Sequence, residues 1–136
     1  RNQRQETRGK KPGEMHSHNF ENLDVWRRGC QLAVDVIVAS HGSRDFALKD
    51  QIQRSALSIP SNIAEGAERP TDPDFCRFLG YSKGSCGELR TQLIVHREVC
   101  SRLGLDPFAN TDGMIEETRE ISRMLAGLIQ RVGNAP

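Results

Sequence analysis

The sequence predicts an all-α protein, a bundle of four helices. From residue 20 onward apolar residues recur at spacings of three and four nearly everywhere. No window shows the strict apolar and polar alternation of a half-buried strand. Helix-starting and helix-stopping residues fall at matching places along the chain. A length of 136 residues with 36% hydrophobic and 27% charged side chains suits one domain with a thin core. That domain is expected over residues 20–136, behind a polar segment at 1–19.

The first helix is expected over residues 23–39, with Asn22 as N-cap and His41-Gly42 as its stop. Trp26, Cys30, Ala33, Val34 and Ile37 share one face and are expected inward. The second helix, residues 47–65, turns Leu48, Ile52, Ala56, Ile59 and Ile63 inward but carries Pro60 in its interior. Proline there removes the bond to the Ala56 carbonyl and crowds it, so a kink or restart near residues 58–61 is expected. Gly66 suits a left-handed cap at its end.

The third helix opens at Thr71 or Asp72, with Pro73 in the first turn. Phe75, Leu79, Ser82, Cys86, Leu89, Leu93, His96, Cys100 and Leu103 then recur at alternating spacings, a heptad seam. About 32 residues at 1.5 Å rise give roughly 48 Å, about twice the first helix. A short helix cannot cover a long one. The excess must be shielded by the fourth helix, residues 112–132 with Ile115, Ile121, Leu125, Leu128 and Val132 inward, or by another subunit. Gly80, Gly84 and Gly87 lie inside the third helix, each costing about 1 kcal/mol relative to alanine. With Thr91 they form a stripe facing away from the seam. Such a stripe lets another backbone approach, a subunit contact, or else marks a bend in an overlong helix.

Charge is unevenly spread. The net +1 comes from 19 Lys and Arg against 18 Asp and Glu. Residues 1–19 hold five bases and two acids, leaving 14 bases and 16 acids, a net of −2, for the rest. The basic segment reads as a mobile nucleic-acid arm, as a plain polar leader, or as residues upstream of a start at Met15. The longest apolar runs, such as residues 36–39, are far short of the roughly 20 residues of a membrane span. No signal-like stretch stands near residue 1, and four scattered cysteines are not a disulfide framework, so a cytoplasmic protein is expected.

A di-iron bundle needs Glu-x-x-His pairs, and none occurs; three residues before His96 stands Leu93. His96 and Cys100 are one turn apart, half of a zinc site, while Cys86 lies about 21 Å away along the axis. The thiols read more simply as small apolar residues, and His16 and His18 as a weak pair in the polar segment. No serine or cysteine sits in a nucleophile's setting and no phosphate-binding loop is present, so an enzyme is not expected, nor a metal or other cofactor. Lys83, Arg90 and Arg97 recur every seven residues beside the seam. They could meet phosphates, or cover apolar surface with their stems while their heads reach carboxylates.

The segments FENLDVW (20–26), QIQRSALSIPSNIAEG (51–66) and FCRFLGYSKGSCGELRTQL (75–93) resemble the bacterial four-helix-bundle proteins related to those encoded in intervening sequences of 23S ribosomal RNA genes. The resemblance spans about residues 19–132. A similar fold serves as the accessory protein of diversity-generating retroelements. The resemblance implies an antiparallel up-down bundle that assembles into a homopentameric barrel, with no enzymatic activity and with nucleic acid as a partner of the retroelement relative. Its polar set falls on Arg54, Ser58, Pro60, Asn62, Glu65, Glu88 and Gln92. Asn62 and Ser58 suit backbone groups freed by Pro60, and Arg54 could pair with Glu88 across the bundle. The expected function is a non-enzymatic homo-oligomeric adaptor whose partner is RNA or DNA, or a nucleic-acid-associated protein. The alternatives are a protein-only scaffold and, third, a metal- or thiol-dependent bundle around His96 and Cys100.

Overall fold

The computed structural model describes residues 19–135 and holds α1 (Asp24–Ser40), α2 (Phe46–Ala67), α3 (Asp72–Leu103) and α4 (Thr111–Gly133). A 3-10 turn at Phe20–Asn22 precedes α1, and no strand is present among the described residues. The polar segment expected at 1–19, apart from Asn19, lies outside them, with Met15, His16 and His18.

Cross-helix contacts fix the topology. Ser82 Oγ donates to the Ile59 carbonyl at 2.8 Å and Ser55 Oγ to Glu88 Oε1 at 3.1 Å, so α2 and α3 run in opposite senses. Arg97 meets Asp112 at 2.7 Å and Arg90 Nε donates to Thr118 Oγ1 at 3.0 Å, while Cys76 lies against the Ile129 carbonyl; α3 and α4 are antiparallel too. Gln53 Nε2 donates to Ser40 Oγ at 3.0 Å, and Gly29 rests against Ile59 and Pro60, which makes α1 antiparallel to α2. Short connections leave antiparallel neighbours no other choice. The long α3 packs extensively on both α2 and α4, whereas α1 lies on α2 and touches α4 more lightly.

The α3 signals fold as read. Thr71 accepts from the Asp74 N–H at 3.3 Å, Pro73 stands in the first turn, and Gly104 ends the helix at φ 68°. The seam from Phe75 to Cys100 is buried. Leu103 is an exception, 66% exposed, because it lies past the ends of its neighbours. In α4 the expected inner residues are buried, joined by Met114 and Thr118.

Four local expectations are corrected. The inner face of α1 is Val25, Gly29, Leu32, Ala33, Val36 and Ser40, about one residue step from the expected one. Val34 is 53% exposed, and Trp26, Cys30 and Ile37 are only half-buried. Leu23 rather than Asn22 takes the N-cap position, since residues 20–22 form the 3-10 turn. In α2, Pro60 does not interrupt the helix: it is buried against Gly29, and the helix runs on to Ala67. Gly66 is therefore inside α2 and serves close approach instead of a cap. A Cβ there would stand 2.6 Å from the Phe78 Cβ.

No helix among the described residues is long and apolar enough to cross a membrane.

Candidate functional site

On the outward face of α3, Gly80 and Gly84 are exposed and Gly87 is half-buried. A Cβ added at any of the three meets nothing within 4 Å. The helix stays continuous through them. Beside them stand Tyr81, Val95 and Val99, exposed by 50%, 48% and 41%. The outcome is a strip of low relief along α3 with an apolar flank.

A ridge stands on another side of the bundle. Val34 and Val38 on α1 are 53% and 71% exposed, with half-buried Cys30 and Ile37 on the same side of that helix, and Leu57 on α2 is 50% exposed. The apolar residues expected inside α1 thus form much of this ridge. Helix α1 is apolar on two sides, and the chain covers one of them.

The cationic edge of α3 is largely taken up within the chain. Arg97 is ion-paired with Asp112, and Arg90 is held by Thr118, whose hydroxyl in turn donates to the Ile115 carbonyl at 2.5 Å. Only Lys83 of the three is exposed without such an attachment to α4.

The polar set divides in the same way. Asn62 Nδ2 donates to the Ser58 carbonyl at 2.8 Å, and Ser58 Oγ to the Ser55 carbonyl at 2.6 Å. They serve the carbonyls around Pro60, although neither reaches that of Ala56. Glu88 accepts from Ser55, not from Arg54, and from Gln92 Nε2 at 3.5 Å. Arg54, one turn from Asp50, bonds its carboxylate at 2.9 Å on the outer face of α2. Glu65 pairs with Arg69 at 3.1 Å. Ser55, 4% exposed, is the link that spacing alone did not disclose. Of the set, Glu88 is the residue that joins α3 to α2, through Ser55, and the Gln92 Oε1 atom is buried with no partner among the described residues.

At the end of the bundle where α3 gives way to α4, His96 and Cys100 are both 7% exposed at the bottom of a cleft of about 470 Å³. His96 Nε2 accepts the Phe108 N–H at 3.0 Å, which removes that nitrogen from metal binding. No three His, Cys, Asp or Glu side chains are grouped to hold a metal ion among the described residues. Cys86 lies in the core, where burial pushes its thiol up to about 12 against the opposing charges of Arg90 and Lys83. It stays protonated and unreactive.

Sequence reasoning also missed a bidentate pair between α1 and α4. Arg28 Nε and Nη2 donate to the Glu117 carboxylate at 3.0 and 2.5 Å, and this hydrogen bonding pushes the guanidinium further up. No local spacing links two residues so far apart in the chain.

The 23S rRNA-intervening sequence protein family model matches residues 21–127, which takes in all of α1 to α3 and most of α4. The chain belongs to this family. The crystal structure of a protein of unknown function from the S23 ribosomal protein family of Bacteroides thetaiotaomicron is similar, with a TM-score of 0.66 at 22% identity. The match covers 77% of this chain and 97% of that one. At that identity it supports the four-helix fold and no more. No curated protein matches the chain significantly.

Proposed function

We propose that this family member is a non-enzymatic scaffold that works as a homo-oligomer in the cytoplasm. One observation carries this: a single chain leaves uncovered both a glycine strip on α3 and an apolar side of α1. An apolar ridge of one copy laid on the low strip of the next makes a head-to-tail contact, which closes into a ring when the rotation allows. The resemblance in sequence implies five copies. The side-chain hydroxyls support a structural role over catalysis. Ser58, Ser82 and Thr118 donate to backbone carbonyls, and buried Ser55 donates to the Glu88 carboxylate that ties α3 to α2, so these hydroxyls are spent on holding the helices.

Nucleic-acid binding by the assembled form is the second function proposed, favoured by exposed Lys83 and the basic residues at 1–19. It has less to stand on than the scaffold, because Arg90 and Arg97 already hold α4.

Light scattering with absorbance at 260 and 280 nm across one eluting peak tests both. A multiple of 15.2 kDa supports the scaffold, and a monomer overturns it. Excess absorbance at 260 nm that declines steeply with salt and falls when Lys83 becomes glutamine supports nucleic acid; its absence leaves the protein-only scaffold.

A further inference from the structure

His96 takes no part in the contacts proposed for assembly, yet it is held with unusual care. Its Nε2 accepts the Phe108 N–H at 3.0 Å, and its ring stacks on that of Phe108 with centroids 3.6 Å apart and planes 20° apart. A ring nitrogen accepts a hydrogen bond only when it carries no proton, so this arrangement needs a neutral imidazole. The Phe108 carbonyl is bound on its other side, accepting from the Thr111 N–H at 3.1 Å and the Thr111 hydroxyl at 2.6 Å. One residue thus ties the connection at residues 104–110 to both α3 and α4.

We propose that this tie is a proton-operated latch: protonating His96 turns the acceptor facing Phe108 into a donor, and the connection lets go of α3 while the helices stay packed. Release opens the cleft above His96 and Cys100, whose walls include Leu48 and Val99. The groups facing the imidazole are few. Arg44 and Asp45 line the cleft from the α1–α2 connection, Asp106 from the α3–α4 connection, and Cys100 Sγ lies 3.8 Å from both ring nitrogens. Burial holds His96 below the usual histidine range, and the Asp45 charge opposes that only in part. The latched state therefore binds its proton less tightly than the released state, where the ring regains an ordinary value near 6.5.

Hydrogen exchange of the Phe108 amide, divided by its intrinsic rate at each pH, tests the latch on the intact chain. Protection should be constant above about pH 6.5 and then fall by up to tenfold per pH unit until the lower value of the latched His96 is passed. Amides in the middle of α2 and α3 should keep theirs. His96→Gln supplies an acceptor oxygen that does not titrate, and should flatten the profile. Phe108 protection that stays constant in the unaltered chain down to about pH 4.5 overturns the latch, whatever the variant does.

Discussion

Gly66 and Gly84 sit in neighbouring helices and meet opposite surroundings. At Gly66 the α2 backbone lies so close to α3 that a Cβ would stand 2.6 Å from Phe78 Cβ and 3.1 Å from Phe75 Cδ1. At Gly84 the same added atom finds nothing within 4 Å. Glycine inside a helix costs about 1 kcal/mol relative to alanine, and at Gly66 the close packing of two helices offsets that cost. At Gly80, Gly84 and Gly87 one chain offers no such compensation. That imbalance is the physical ground for the proposed second copy on the outer face of α3, and it can be tested by adding the same methyl group in both places.

Gly66→Ala should have the largest effect on stability. The methyl group meets the Cβ of Phe78, which cannot swing away as a flexible chain end would, so stability should fall by about 2 kcal/mol, in the range for overpacking. Urea unfolding at fixed protomer concentration measures it. A loss below about 0.5 kcal/mol would show that α2 and α3 separate at little cost, and the contrast between the two glycines would disappear.

Adding bulk at Gly84 should act on assembly instead. Gly84→Leu should lower the solution mass toward the 15.2 kDa protomer while each chain keeps its helical circular dichroism. Gly84→Ala sharpens the point. On an open helix face it should add up to about 1 kcal/mol of stability, and at a close subunit contact it should weaken the oligomer instead.

The two glycine environments also show what could be read from the sequence. The seam of α3 and the inner residues of α4 are legible because the buried residues of each helix recur without a break at spacings of three and four, apart from Leu103. Helix α1 was misread because Trp26, Cys30, Val34 and Ile37 form a second apolar side, more conspicuous than an inner face built from Gly29, Ser40 and modest aliphatics. Periodicity finds apolar faces and does not say which one the same chain covers. The site residues divide likewise. The outward direction of the glycine stripe followed from its phase against the seam. The attachments of Arg90 to Thr118 and of Glu88 to Ser55 depend on how neighbouring helices slide past each other, which no local spacing records.

The lighter contact between α1 and α4 gives a smaller test. Arg28 and Glu117 bridge it, with side chains 42% and 30% exposed, so solvent screens much of the attraction. A double-mutant cycle with Arg28→Met and Glu117→Gln should return a coupling of about 1 kcal/mol, reduced by salt. No coupling would mean that apolar residues such as Leu32 and Met114 hold α1 in place alone.

The smallest effect belongs to Arg54, where sequence and structure disagree about the partner. Its side chain is 75% exposed and bonds to Asp50 one turn earlier on the same helix, a pair that ties no two helices together. Exposed pairs at this spacing contribute about 0.3–0.5 kcal/mol, so Arg54→Ala should be nearly silent in urea unfolding. Glu88→Ala should cost more, about 1–2 kcal/mol, because it leaves the buried Ser55 hydroxyl without its acceptor. The order of these two variants decides the matter. Had Arg54 reached across to Glu88, the two would lose similar amounts; a silent Arg54 beside a costly Glu88 means that the α2–α3 register is set from within, by Ser55 and Ser82. The outer guanidinium would then be left facing solvent, or a neighbouring copy.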